Sequence, residues 1–191
     1  MKVEELSLKI AQALRFSFDS FRECLGENEI IGYGILSHDT ADSCIPVIST
    51  RAGLDDFSLG SPEDFIFSLV DWDNFDRRSS FDLVNRELNK IYEVGDDSID
   101  PIWHTKFREF VFVANVKALE ALIDESYFGN DLKRDDIFIV FTLSDSEVFD
   151  THELGWVKRL NTIEVANRYL KWRSKNAVSY THLTLPTIYS V

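Results

Sequence analysis

Residues 30–48, IIGYGILSHDTADSCIPVI, decide the fold class of this chain. Apolar and β-branched residues at both ends flank a polar, turn-forming centre, which predicts a β-hairpin with strands at 30–36 and 44–48. In the first strand the glycines share one face and the large apolar residues share the other. Pro46 cannot donate a ladder hydrogen bond, so we expect the second strand to lie at a sheet edge there or to bulge.

Two further apolar runs are strand candidates. The run IFIVFTL at residues 137–143 is the strongest candidate for a central strand, because all seven residues are apolar or Thr. The run FIFSLV at residues 65–70 is ambiguous. The preceding residues 61–64, SPED, are typical of a helix start, but the short length and the aromatic and β-branched residues of the run favour a strand.

Apolar residues at helical spacing predict the remaining elements. Asp100 and Pro101 suit the start of the third helix, and Asn161 with Glu164 fits a cap-and-return pair at the start of the last one. A polar loop at 144–153 precedes a short helical turn through Trp156. The predicted helices span residues 2–25, 80–92, 101–126 and 162–175.

Together these elements predict a single α+β domain, a small, mainly antiparallel sheet with helices packed on it. We expect the domain to span residues 1–177. Residues 178–191 begin VSYTHLTLPT, which is what one reading frame of a sequencing-library adapter encodes. We therefore expect them to be a non-native tail outside the fold.

The net charge of −13 is unevenly distributed along the chain. Residues 158–177 carry six bases and one acid, whereas residues 1–157 carry 14 bases and 32 acids. Such a charge repels nucleic acid and anionic membranes and attracts basic partners, although acidity alone is common and aids solubility. The densest acidic stretch has no base and surrounds a tryptophan, so its residues are the candidate partner-binding set: Asp55, Asp56, Glu63, Asp64, Asp71, Trp72, Asp73 and Asp76.

Trp72 has two interpretations. A lone Trp is usually a core residue whose indole N–H finds a partner, and this is the interpretation we favour. The alternative is that Trp72, flanked by acids, anchors a basic protein partner, since Trp is enriched at interface hot spots.

The chain contains no short motif of a known active site: no GxSxG, no glycine-rich phosphate loop and no CxxC. A polar group follows the run at 137–143, and its alternating carboxylates suit a hard cation such as Mg²⁺ or Ca²⁺. A solvated loop is the plainer interpretation, and we expect no cofactor. The residues of this weaker metal or enzyme site are Asp145, Glu147, Asp150 and His152, followed by Glu153.

Several strings together resemble the bacterial domain of unknown function 4303 family. They are GYGILSHDTADSCIPVIST (32–50), Asp71-Trp72, ALEALIDESYFG (118–129), IFIVFTLSDSE (137–147) and WVKRLNTIEVANRYL (156–170). The resemblance covers most of residues 1–175 in order. It implies a fold and a genomic setting near contact-dependent toxin and immunity genes, and it implies no catalytic residues.

Charge and resemblance favour a protein-binding module of the toxin-immunity type, whose acids occupy a cationic site on a basic partner. The alternatives are an enzyme with a site at the Asp145–His152 loop and a stand-alone structural or regulatory domain. We expect a cytoplasmic location. Cys24 and Cys44 leave a disulfide open, but a reduced pair is the simpler interpretation. We expect no nucleic-acid or membrane partner, and the oligomeric state is left open.

Overall fold

A computed structural model describes residues 1–26, 29–69, 72, 74–75, 80–96, 101–129, 135–144 and 149–180. Within these residues the chain forms helices on both sides of a mixed sheet. None of the described helices combines the length and the apolar composition needed to cross a bilayer. The helices are α1 Val3–Leu25, α2 Arg51–Asp56, α3 Pro62–Phe67, α4 Asp82–Asp96, α5 Pro101–Asp124, α6 Phe149–Leu160 and α7 Ile163–Tyr180; the strands are β1 Ile30–Ser37, β2 Cys44–Thr50, β3 Asn74–Phe75 and β4 Phe138–Leu143.

The sheet order is β3-β2-β1-β4, and the α+β class is confirmed. The predicted hairpin is the antiparallel pair β1–β2, and the two-residue β3 adds a second antiparallel ladder. Pro46 pairs with Ile35 of β1, whereas the β3 ladder begins only at Val47, so Pro46 faces no described strand on that side, as expected for an edge position. The bulge lies elsewhere, between Ile30 and Gly32.

The prediction that residues 137–143 form the central strand is half wrong. All six residues of β4 are buried, but β4 pairs only with β1, in parallel, and lies at the sheet edge. Helices cover both faces of β4. An unbroken apolar run therefore indicates that both faces of a strand are buried, but it does not indicate whether the strand is central or at the edge of the sheet. The central position belongs to β1 and β2.

The two faces of the sheet support two apolar clusters. Tyr33 and Phe141 face the larger cluster, which includes residues of α1, α4, α5 and α6, and the Tyr33 hydroxyl donates to the Leu14 carbonyl of α1 at 3.0 Å. Phe138 and Val140 face the smaller cluster, which includes residues of α3 and α7.

Trp72 fills the smaller cluster over β1. A Cβ on Gly32 would lie 2.6 Å from the Trp72 ring. The ring can therefore pack against the predicted glycine face of β1 only because this position has no side chain.

Asparagine amides bind the backbone at one residue of β4, an outer strand, and at one residue of β2 that lies outside the β3 ladder. Asn161 accepts from the Ile139 N–H at 2.8 Å and donates to the Ile139 carbonyl at 2.7 Å. Asn85 of α4 does the same at Cys44 of β2, at 2.9 Å in each direction. At that residue, each amide takes the place of a neighbouring strand by binding the backbone N–H and the carbonyl. Asn161 is therefore not the helix cap that its spacing to Glu164 predicts.

Three boundaries differ from the sequence-based prediction. Residues 65–67 are helical, because Ser61 and Asp64 form a capping box with Pro62 at the first helical position. The helix signal thus outweighs the strand propensity of the aromatic residues. The helix α6 begins at Phe149, inside the predicted loop, and α7 begins after Thr162, whose hydroxyl accepts from the Val165 N–H at 3.4 Å.

The remaining helices lie close to their predicted positions: α1 at Val3–Leu25, α4 at Asp82–Asp96 and α5 at Pro101–Asp124. Asp100, the predicted cap of α5, lies outside the described residues. The last helix continues through Tyr180, so it includes the first three residues of the predicted tail, and residues 181–191 lie outside the described part of the chain.

Removing the amide at the β4 edge tests the role of Asn161. We expect Asn161→Ala to lower the free energy of unfolding by about 1–3 kcal/mol, because the Ile139 N–H and carbonyl both lose their partner. Urea denaturation followed by circular dichroism measures the change. Asn89→Ala, on the exposed side of α4, is the matched control. A loss in Asn161→Ala no larger than in the control would show that water replaces the amide without cost.

The two cysteines are free and differ in burial. Burial raises the pKa of the Cys44 thiol to about 12, whereas Cys24 is exposed. Since the thiolate is the reactive form, we expect one thiol to react with Ellman's reagent at pH 8 in the folded protein and both to react in guanidinium. Rapid reaction of both thiols in the folded protein would contradict the burial of Cys44.

Candidate functional site

The predicted acidic surface is described at four of its acids. Asp55 and Asp56 are exposed at the end of α2, and Glu63 and Asp64 are half-buried in the first turn of α3. We call these four residues the acidic face. The other acids of the predicted set, Asp71, Asp73 and Asp76, lie outside the described residues.

Short capping motifs position the acidic face. The Thr50 hydroxyl at the end of β2 accepts from the Gly53 N–H at 3.1 Å and so starts α2 directly at the sheet. Ser61 donates from its N–H to the Asp64 carboxylate at 2.7 Å and from its hydroxyl at 2.9 Å, which starts α3. Thr50 is the last residue of β2, so the sheet fixes the start of α2, whereas the capping box of α3 lies farther along the chain, at Ser61.

The basic helix α7 lies against α3. The Trp172 indole N–H donates to Asp64 Oδ1 at 2.8 Å, and the Asn176 amide reaches the same oxygen at 3.5 Å. One turn earlier, Arg168 Nη2 lies 3.9 Å from Glu63 Oε1, and both side chains are about 40% exposed, so this pair contributes little to stability.

A cavity of about 530 Å³ separates the two helices. It is lined by Glu63 and Asp64 on one side and by Arg168, Lys171 and Lys175 on the other. Hydrogen bonds hold the pKa of Asp64 below its ordinary value: the Ser61 backbone N–H contributes most, followed by the Trp172 indole. The chain's own basic segment therefore already contacts half of the acidic face.

Asp55 and Asp56 are not compensated in this way. Among the described residues, no Lys, Arg or His forms an ion pair with either carboxylate. They form the exposed, negatively charged end of the acidic face.

Trp72 is a core residue and cannot serve as an interface anchor. Only 1% of its surface is exposed, and its indole N–H donates to the Phe65 carbonyl at 3.1 Å. The ring also meets Phe138 of β4 edge-on, with centroids 6.4 Å apart. The favoured interpretation of Trp72 is therefore correct, and its place in the partner-binding set is wrong. The ring is buried because it packs into the space that Gly32 leaves open on β1.

The weaker metal site is described only in part. Asp145 and Glu147 lie outside the described residues, and Asp150 is described only as part of the α6 backbone. His152 lies in α6 and not in a loop; it is exposed, and its ring stacks on Trp156 at 5.7 Å and 18°. Within the described residues no group of His, Cys, Asp or Glu is arranged to hold a metal ion. A site that uses Asp145 and Glu147 stays a prediction.

Glu153, which we predicted to lie in a solvated loop, is a buried acid. In α6 it is only 3% exposed and pairs with Arg173 of α7. Arg173 also donates to the Tyr169 hydroxyl at 3.0 Å. Burial raises the pKa of Tyr169, and the neighbouring Glu153 carboxylate raises it further. Removing one partner of such a pair would leave the other charge buried alone, so this contact joins α6 to α7.

The contact between α3 and α7 is open to a direct test. We expect Asp64→Ala to lower the free energy of unfolding by about 1 kcal/mol at pH 7, because α3 loses its capping box. The pKa of Asp64 is lowered, so its contribution is complete above its ordinary value of 3.8 and disappears as the pH falls below it. The difference from wild type should therefore shrink in acid.

The measurement is urea denaturation of both proteins at pH 7 and at about pH 3. Glu63→Gln is the matched control, since it removes a neighbouring, exposed ion pair and should change stability by less than about 0.5 kcal/mol. A difference for Asp64→Ala that is equal at both pH values would show that the carboxylate charge does not hold α3 and α7 together.

Comparison with known proteins gives one family. A family model described as "Domain of unknown function (DUF4303)" matches residues 10–162, which include β1, β2, β4 and the acidic face. The helix α7 lies beyond the matched residues. No significant match was found among curated proteins or among solved structures.

Proposed function

Since the chain belongs to the domain of unknown function 4303 family, whose description assigns no activity, we propose a function from its own residues: an acidic protein-binding module of the toxin-immunity type that takes a basic partner. One observation carries the proposal. Asp55 and Asp56 are exposed and make no ion pair with a described side chain, at the open end of a face whose other half already contacts a basic helix.

Charge supports this proposal on two length scales. Residues 1–157 carry 32 acids against 14 bases, so the long-range field draws a cationic protein and speeds its encounter. At short range the contact of α7 with α3 illustrates a suitable mode: an indole N–H on Asp64 and a guanidinium near Glu63. A basic segment of a partner would find the same groups at Asp55 and Asp56, without a competing cation among the described side chains.

The proposal includes a bacterial, cytoplasmic location. The cytoplasmic part is favoured by the two cysteines, which form no disulfide with each other although one is exposed, because thiols stay reduced in that compartment.

The test uses the proteins encoded next to a copy of this gene that lacks the adapter-derived tail. Each protein is purified and passed over the immobilised domain. We expect one of them to bind with an association rate that falls about tenfold between roughly 50 and 300 mM NaCl. The double variant Asp55→Asn/Asp56→Asn should slow association, whereas the dissociation rate should change less.

The matched control is Asp82→Asn/Glu93→Gln, which removes the same charge from two exposed residues of α4. If this control slows association as much as the double variant does, the field of the whole protein attracts the partner and the acidic face has no special part. Binding that ignores salt and both variants would refute the proposal.

The alternative, an enzyme with a site at the Asp145–His152 segment, keeps one supporting observation. His152 lines a cavity between α5 and α6. The described lining residues include Thr105 but no Ser or Cys, and no hydrogen bond between the described side chains of Thr105 and His152 supports an activated nucleophile, so we rank this function second.

A further inference from the structure

The cleft between α5 and α6 has the dimensions of a small-molecule site. Its volume is about 460 Å³, within the range of about 300–1,000 Å³ that is typical of ligand pockets. The residues that matter for recognition are Arg108, Glu109, Phe112, Val113, His152 and Trp156. None of them belongs to the acidic face, so this cleft is separate from the proposed protein-binding surface.

Two aromatic rings form a rigid floor. Phe112 and Trp156 are 6% and 8% exposed, and their centroids lie 5.7 Å apart in an edge-to-face arrangement. Phe141 of β4 supports both from below, with its ring 5.6 Å from Phe112 and 4.8 Å from Trp156. Because the floor is part of the main apolar cluster, a ligand would meet a preformed apolar surface.

A nitrogen-bearing side chain stands over each ring, one helical turn before it. The Arg108 guanidinium lies 5.7 Å from the Phe112 centroid, and the His152 imidazole lies 5.7 Å from that of Trp156. Arg108 makes no ion pair with a described side chain, although Glu109 also lines the cleft. By contrast, Arg15 and Arg159 both bind carboxylates. Arg108 is therefore a cation that lies over an aromatic ring and pairs with no carboxylate among the described residues.

We propose that this cleft binds a small organic anion with a flat apolar body, such as an aromatic carboxylate. The carboxylate accepts from Arg108, whose planar guanidinium suits a two-point contact. The His152 ring offers a second donor at the opposite wall. The apolar body packs against Val113, which is 46% exposed, and against the accessible edges of Phe112 and Trp156, whose faces are covered by Arg108 and His152.

The proposed ligand needs a negative charge and an apolar body, and three compounds test these needs separately. Naphthalene-2-carboxylate has both, the neutral naphthalene-2-carboxamide lacks the charge, and inorganic phosphate lacks the apolar body. Ligand-observed and protein-observed NMR titrations of the full chain measure affinity. We expect the carboxylate to bind with a dissociation constant of about 1 mM or lower, and each comparator to bind at least about tenfold more weakly.

Two variants locate the binding. Arg108→Gln keeps the side-chain length and removes the charge, and should weaken binding of the carboxylate about tenfold. Arg86→Gln, on the exposed side of α4, is its matched control and should leave the affinity unchanged. Val113→Phe fills the cleft from a position that is 46% exposed, so it should block binding without unfolding the chain, which circular dichroism checks.

The outcomes that overturn the proposal are distinct. Equal binding of the carboxamide would exclude recognition of the charge, and equal binding of phosphate would exclude a role for the aromatic floor. Binding that survives both Arg108→Gln and Val113→Phe would place the ligand outside the cleft. Absence of binding by all three probes at millimolar concentration would reject the site.

Discussion

The close approach of other groups to Gly32 and Gly34 is the constraint on which the smaller apolar cluster and the β1–β4 pairing depend. A Cβ on Gly34 would lie 2.1 Å from the Val140 carbonyl oxygen, and one on Gly32 would lie 2.6 Å from the Trp72 ring. A side chain at either position would separate β1 from β4 or expel Trp72. Since the Trp72 indole binds the Phe65 carbonyl, the same approach ties α3 to the sheet. The absence of a side chain at Gly32 thus contributes to the position of α3, the helix that carries Glu63 and Asp64.

Asparagine side chains occupy the outward-facing backbone groups at two residues of the sheet. Asn161 covers β4 at Ile139, and Asn85 covers β2 at Cys44. At these two residues the backbone groups are occupied, which disfavours the addition of a partner strand there, as in β-augmentation. The two proposed binding surfaces, the acidic face and the α5–α6 cleft, lie on helices. The sheet supports both of them: Thr50 of β2 starts α2, and Phe141 of β4 lies beneath the cleft floor.

The two proposed binding surfaces of this acidic chain differ in the charged groups that lie close to them. The net charge of −13 acts at long range, whereas a bound ligand responds to the groups within a few ångströms. At α3, Arg168 of α7 lies 3.9 Å from Glu63 and the Trp172 indole donates to Asp64, whereas Asp55 and Asp56 are exposed. At α5, Arg108 lies over an aromatic ring and has no described carboxylate partner. The helix α7 lies beyond the residues matched by the family model, so its contacts with the acidic face depend on a part of the chain that the match leaves out.

The sequence by itself determined the elements whose signals are local. The hairpin, α1, α4 and α5 follow from residue periodicity and turn chemistry, and the α+β class follows from them. Strand order in the sheet, the burial of Glu153 beside Arg173, and the use of Asn161 at a strand edge were decided only by the tertiary structure. Each depends on a partner distant in sequence: Ile139 lies 22 residues from Asn161, and Asp64 lies 108 residues from Trp172. Periodicity shows that a residue is buried or polar, whereas its partner is chosen by the packing of whole helices against the sheet.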